Sequence, residues 1–360
     1  MTWTIHGEGH AVDSLDERPQ SNRRPTMRDV AERVGVSRAL VSMVFRDMPG
    51  VNAQTREKIK QAATEIGYRP DAAAQVLRRA RSRNIGVLFT LQHAFDRELI
   101  EELYPAAARY GYHLILGAMM PSRDEFAAVE ELLSYHCEAL ILLGPDLDPK
   151  RLDELAAKLP VVEVSRPVRR EQVDVIRSAD GRGMRQAVDH LVELGHRSIV
   201  HVDGGRMPGA VERRKGYRAG MRKHGLDEHI RVIAGDYTEE SGAAAARELL
   251  AEQTPPTAVI AGNDRCALGL LDSFRRGGLR VPEDISVVGY DDSRLARLSF
   301  VDLTSVRQDV EQMADCALRA AIERLDEGRT QMVDIVLPPT LIVRGTSGPP
   351  PQRRPVDVAG

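Results

Sequence analysis

The chain has 360 residues, 42% of them hydrophobic and 29% charged, which is enough for two or three domains with real cores and typical of a globular protein. It shows no run of eighteen uncharged apolar residues, no apolar stretch behind a basic N-terminus, and three dispersed cysteines (Cys137, Cys266, Cys316) with no CxxC or histidine cluster nearby. A membrane span, a secretory leader, a disulfide framework and a zinc site are therefore not expected, and a cytoplasmic location is. The net charge of −3 is uneven: residues 23–83 carry 14 Lys+Arg against 6 Asp+Glu, a balance of +8 that leaves −11 for the rest. A basic head on an acidic body suggests a nucleic-acid-binding module joined to something else.

Residues 1–22 lack periodicity and are expected to be a disordered tail. Three short helices should follow. Thr26 and Asp29 have capping-box spacing ahead of MRDVAERV. Gly35 supplies a turn, Ser37 caps RALVSMVFRD (38–47), and Asn52 caps AQTREKIKQAATEIG, which ends at Gly67. A tight turn between the first two of three short helices is a helix-turn-helix pattern, here over 23–69. Residues 70–83, PDAAAQVLRRARSR, form a basic linker too short to hold a helix alone in water.

From residue 84 the texture changes. IGVLFT, HLILGAM, ALILLGP and VVEVS are short apolar runs separated by amphipathic helices, and SIVHVDG, IRVIAGD, AVIAGN and SVVGYDD repeat the pattern. Two successive strand–helix series predict an α/β body over 84–346, with two parallel doubly wound sheets in two lobes and a ligand cleft at the strands' carboxyl ends. Residues 347–360 are Pro-rich and read as a loose tail. No GxSxG, P-loop, HExxH or GxGxxG follows the first strand, so no enzyme, cofactor or metal is expected. A sugar kinase or nucleoside hydrolase would need such a loop or an Asp-rich metal site. A transport solute-binding protein would lack the basic head.

Several ordered stretches carry a resemblance. They are Thr26–Leu77, Asp189–Gly204, Glu212–Met221, Pro255–Gly269, Arg280–Ser293, Leu303–Asp309 and Leu337–Ser347. Together, over about 320 residues, they resemble the lactose/galactose repressor family. The resemblance implies a DNA-binding head, a hinge, and a two-lobed periplasmic-binding-protein-like body. It also implies a repressor controlled by a small molecule, a sugar or nucleoside, and a homodimer on a pseudo-palindromic DNA operator. The last residues carry no leucine heptads, so a dimer is expected rather than a tetramer.

The resemblance also implies roles for particular residues. Arg38 and Ala39 would meet base edges from the second helix, while Ser37, Ser42, Asn52, Thr55 and Arg56 would position phosphates. The family commonly has Thr, Arg and Asn where this chain has Leu40, Met43 and Arg46. Met43 cannot donate a hydrogen bond, and Arg46 adds a charge for phosphate. Ala74 and Leu77 belong to a minor-groove hinge, with Leu77 as the apolar wedge. Asp71 stands where Asn is usual. Effector contacts are implied at Thr90, Phe95, Asp180, Arg213, Tyr237, Asn263 and Asp291. Arg214 is the neighbouring alternative to Arg213, and an Asp at a strand's end, such as Asp180, alternatively caps the next helix.

Overall fold

A computed structural model describes residues 25–69, 81–91, 93–120, 122–144, 146–167 and 170–351. The chain divides into two units, Met1–Arg81 and Ser82–Gly360. The expected tail over 1–22 and most of the expected hinge, including Asp71, Ala74 and Leu77, lie outside the described residues.

The first unit holds α1 (Met27–Val34), α2 (Arg38–Phe45) and α3 (Ala53–Glu65). Each begins where the sequence supplies a cap. The Thr26 amide and hydroxyl both donate to Asp29 Oδ2 (2.6 and 2.7 Å), Ser37 Oγ accepts from the Leu40 amide, and Asn52 Oδ1 accepts from the Thr55 amide. Gly35, at φ 73°, turns the chain out of α1 where a side chain would be strained. Val30, Val41, Val44 and Ile59 form the core, and the Phe45 ring meets Tyr68 edge-on. Helix α2 stops two residues short of the expected Asp47. There the backbone turns to a positive φ of 53°, and Arg56 grips both Asp47 (2.7 Å) and the Met48 carbonyl (2.8 Å).

The second unit has two six-stranded sheets. Lobe one contains β1 (Asn84–Thr90), β2 (His113–Met119), β3 (Ala139–Leu143), β4 (Val161–Val164), β5 (Val173–Ser178) and β11 (Asp334–Leu337), all parallel, in the order β11-β5-β4-β3-β1-β2. Lobe two contains β6 (Ile199–Val202), β7 (Arg231–Ile233), β8 (Ala258–Ala261), β9 (Ser286–Asp291), β10 (Thr304–Arg307) and β12 (Thr340–Ile342) in the order β12-β10-β9-β8-β6-β7. Only the edge strand β12 runs antiparallel.

Strand residues alternate between two buried faces, as doubly wound sheets require. Val87, Ile141 and Val162 face one apolar cluster, while Leu88, Leu142 and Val161 face another. Helices α4 (Ala94–Arg109), α5 (Glu125–Ser134) and α6 (Pro149–Ala156) cover lobe one. Helices α7 (Asp180–Glu193), α8 (Ala210–Lys223), α9 (Glu239–Leu250) and α10 (Asp264–Arg276) cover lobe two.

The two expected series are not self-contained. After β10 the chain returns to lobe one as α11 (Val310–Asp326), whose Met313, Ala317 and Ala321 join the cluster around Val87 and Leu103. It then adds β11 to that sheet before crossing back as β12. Helix α7 opens on Asp180-Gly181-Arg182-Gly183. Its opening glycines hide it from a propensity reading. The close approach of α7 and α8 requires Gly216, where a Cβ would lie 2.6 Å from the Gly181 Cα, whereas a Cβ on Gly181 would meet nothing closer than 3.4 Å.

Candidate functional site: a helix N-terminus and an interlobe cleft

In the first unit the caps set which groups face outward. Ser37, Arg38 and Ala39, at the N-terminal end of α2, are exposed, and no acceptor among the described residues reaches the Arg38 guanidinium. Ser42 and Met43 are half-buried on the next turn. Arg46 is exposed, with its Nε bonded back to the Ser42 carbonyl. Asn52 is exposed and caps α3, accepting from the amide of Thr55 in its first turn. Arg56 is placed differently. Both terminal nitrogens turn inward to Asp47, Val44 O and Met48 O, so it clamps the loop between α2 and α3.

In the second unit the carboxyl ends of strands from both lobes converge on one cavity of about 40 Å³. Lobe one contributes His93, Ala94, Phe95 and Asp96 at the start of α4, Leu143 and Gly144 at the end of β3, and Ser165 after β4. Lobe two contributes Pro208, Arg213 on α8, Tyr237, Asn263, Asp291 ending β9, and Gln308. Ser165, Tyr237 and Asp291 hold positive φ of 70°, 69° and 108°. Backbone strain of this kind costs about 1–3 kcal/mol per residue and concentrates at ligand sites.

The electrostatic centre is Arg213, which is 5% exposed. Its Nε donates to Asp180 Oδ1 at 2.9 Å, one terminal nitrogen to the Gly262 carbonyl at 2.7 Å, and the other lies 3.5 Å from Asp291 Oδ1. Its guanidinium carbon stands 3.7 Å from the Tyr290 ring centroid and 5.3 Å from that of Tyr237. Burial pushes the Asp291 carboxyl up to about 6, with Arg213 and Gln308 only partly offsetting it. Behind it Asp264 is pushed up to about 8, first by burial and then by the charge of Asp291. It accepts from the Ser305 hydroxyl (2.6 Å) and the Ser293 amide (2.7 Å). Burial likewise raises Asp96 on the opposite lobe.

Five of the seven expected effector residues, Phe95, Arg213, Tyr237, Asn263 and Asp291, line the cavity. Asp180 does not. It sits inside α7 rather than capping it, and it positions Arg213. Thr90 is one step back, its amide donating to Asp96. Arg214 turns away from the cavity to Asp203, which settles the helix phase in favour of Arg213. Asn263 uses its Oδ1 to cap α10 at the Cys266 amide. His93, Asp96, Ser165, Pro208 and Gln308 were not legible as site residues; Asp96 has the sequence signature of an ordinary acid at a helix start.

Ion pairs clasp the lobes at both rims. Arg206 reaches Asp146 at 3.0 Å on one side. On the other, the Arg294 amide donates to Glu98 Oε1 at 2.9 Å and its side chain pairs with Glu101. No described helix is long and apolar enough to cross a membrane.

Two family descriptions match this chain: bacterial regulatory proteins, lacI family, over residues 26–71, and periplasmic binding protein-like domain over 188–347. A LacI transcriptional regulator from a Rhodococcus species is 46% identical over 75% of this chain and 100% of that one, with a TM-score of 0.73. A complex of the transcriptional regulator CelR with cellobiose is 33% identical over 90% and 100%, with a TM-score of 0.66. The lac repressor dimer bound to operator and the anti-inducer ONPF is 28% identical over 91% and 100%, with a TM-score of 0.75. With its helix-turn-helix head, its two-lobed body and this likeness along the chain, the protein belongs to the lacI family of bacterial regulatory proteins and is a DNA-binding regulator of transcription.

Proposed function

We propose that the protein is a cytoplasmic repressor without enzymatic turnover, whose operator binding is set by a sugar held in the interlobe cleft. Residues 23–69 read DNA, 70–83 couple the parts, and 84–346 bind the effector and dimerise. The observation that carries the reading is the cavity itself, where carboxylates, amides and a hydroxyl converge beside the Phe95 and Tyr237 rings. Dense bidentate hydrogen bonding next to an aromatic wall is what sugar hydroxyls require. The related CelR structure contains cellobiose, and the related lac repressor structure is an operator-bound dimer. The cavity of about 40 Å³ takes its wall from both lobes, so a ligand held there bears on how far they close. That makes lobe closure the two-state element through which ligand and DNA are linked.

On the DNA side, Arg38 makes a bidentate contact to guanine from the exposed start of α2, with Ser37, Ala39, Ser42, Met43, Arg46, Asn52 and Thr55 around it. Arg56 acts by holding the turn behind this surface. Ala74 and Leu77 serve the hinge. The test is fluorescence anisotropy on genomic fragments. Arg38→Ala is expected to weaken operator binding by about 1–3 kcal/mol and to relax the preference at one base pair per half-site. An equal loss on operator and on random DNA would reduce Arg38 to a phosphate contact.

A further inference from the structure

Charged groups on the cavity wall are unbalanced. Its charged residues are Asp96, Asp291, Arg213 and His93, and the guanidinium is already in use. All three Arg213 nitrogens have protein partners, in Asp180, Gly262 O and Asp291. An incoming carboxylate or phosphate would have to compete with Asp180 and Asp291 for that guanidinium, and it meets two carboxylates.

Both carboxylates are half-satisfied in the same way. Asp96 Oδ2 accepts from the Thr90 amide at 3.1 Å and has His93 Nδ1 at 3.7 Å. Asp291 Oδ1 accepts from Gln308 Nε2 at 2.8 Å and has Arg213 at 3.5 Å. In each case the protein's donors gather on one oxygen. Among the described residues none donates to Asp96 Oδ1 or Asp291 Oδ2, although Asp96 is only 5% exposed. A carboxylate oxygen that faces a cavity without a protein donor is a ready acceptor, and both residues line the cavity. The two residues also stand on different lobes, Asp96 on α4 and Asp291 at the end of β9. A group that satisfies both must bring donors and positive charge to the seam.

We propose that the cleft ligand carries a protonated amine, as an amino sugar does, and that its ammonium is held between Asp96 of one lobe and Asp291 of the other. An ammonium offers three donors and a compensating charge, whereas a hydroxyl offers one donor and none. Because the carboxylates come from opposite lobes, the same contact favours closure over the open cleft. Acid sugars and nucleotides are excluded. The inference rests on the reading of the cleft as a sugar site and adds the charge of the ligand.

The test uses the full chain at neutral pH in thermal-shift and calorimetric titrations with two matched triplets: glucose, glucosamine and glucuronate, and galactose, galactosamine and galacturonate. In at least one triplet the amino member is expected to bind about tenfold more tightly than the neutral one, the difference between a charge-assisted and a neutral hydrogen bond. The acid should not bind. Asp96→Asn and Asp291→Asn, each checked for folding by its unliganded melting temperature, should bring the amino-to-neutral ratio close to one. A neutral or acid member that binds as well as its amino partner overturns the proposal and leaves the sugar reading standing. So does an amine preference that survives both variants. No shift from any member, with operator binding intact, overturns both.

Discussion

Two groups of buried carboxylates in the body are built in opposite ways. Asp174, at the start of β5 and away from the cleft, is completely enclosed and gripped by two arginines. Arg324 reaches its oxygens at 2.7 and 2.9 Å, Arg329 at 2.7 and 3.1 Å, and the Val333 amide adds a fifth bond at 3.0 Å. Burial works against its ionisation, but these hydrogen bonds outweigh it and hold the carboxyl below its ordinary range. At the cleft, Asp180 and Asp291 share a single arginine with Asp264 behind them, and all three carboxyls are raised, burial being the largest cause in each. The contrast separates a staple from a site. Asp174 ties α11 and the β11 edge to lobe one with its charge neutralised, whereas the cleft keeps charge that the protein alone does not balance.

The largest expected effect lies at the staple. Asp174→Ala leaves two arginines, 10% and 17% exposed, without their shared partner. Breaking one side of a buried ion pair typically costs about 3–5 kcal/mol. The variant should unfold at markedly lower urea concentration. A loss under about 1 kcal/mol would show that water already satisfies these arginines and that the staple is no stronger than a surface pair.

The cleft should respond to pH in the opposite sense. A carboxyl with a raised folded-state pKa binds its proton more tightly when folded, so its contribution is full below the unfolded pKa and is lost as pH rises through the folded value. For Asp264, pushed up to about 8, this loss runs across the neutral range. For Asp291, at about 6, it is complete earlier. Asp174, held low, contributes the reverse, with stability lost only in acid. Between pH 6 and 8 the protein should therefore lose about 1 kcal/mol of unfolding free energy per pH unit from Asp264 alone. Asp264→Asn should flatten that slope, because an amide can still accept from the Ser293 amide and donate to the Ser305 oxygen. An unchanged slope in this variant would place the titration elsewhere.

How much of this was legible in the sequence follows from the range of each interaction. The helix caps at Thr26, Ser37 and Asn52 are local, and the structure has them as the sequence implies. Eight strands, β1–β4 and β6–β9, were readable because buried parallel strands are continuous apolar runs, whereas β5, β10, β11 and β12 were not singled out. Helix α11 is different. It was not singled out in the sequence, and the choice between lobes is made by what it packs against, Val87 and Leu103, which lie more than 200 residues earlier. The cleft divided in the same way. Asp291 and Arg213 came from the resemblance and do line the cavity. Asp96 matters only through where α4 places it against the other lobe. The role of Asp180 was visible only once its distance to Arg213 was known.

The smallest expected effects lie at the rim clasps, and they sharpen the comparison by separating closure from stability. Arg206 is 91% exposed and Asp146 54%, so Arg206→Ala should change unfolding by less than about 0.5 kcal/mol, as exposed pairs generally do. The clasp joins two lobes, however, with a long bond from Arg166 Nη2 to the Arg206 carbonyl (3.5 Å) beside it, and a few tenths of a kcal/mol bears directly on the open–closed balance. Small-angle scattering of unliganded protein should therefore show a larger radius of gyration for Arg206→Ala at an unchanged melting temperature. On the opposite rim Glu98 is 8% exposed and receives the Arg294 amide, so Glu98→Ala should open the cleft further and also lower the melting temperature. If both variants scatter like the parent, lobe closure is held by the cavity residues themselves.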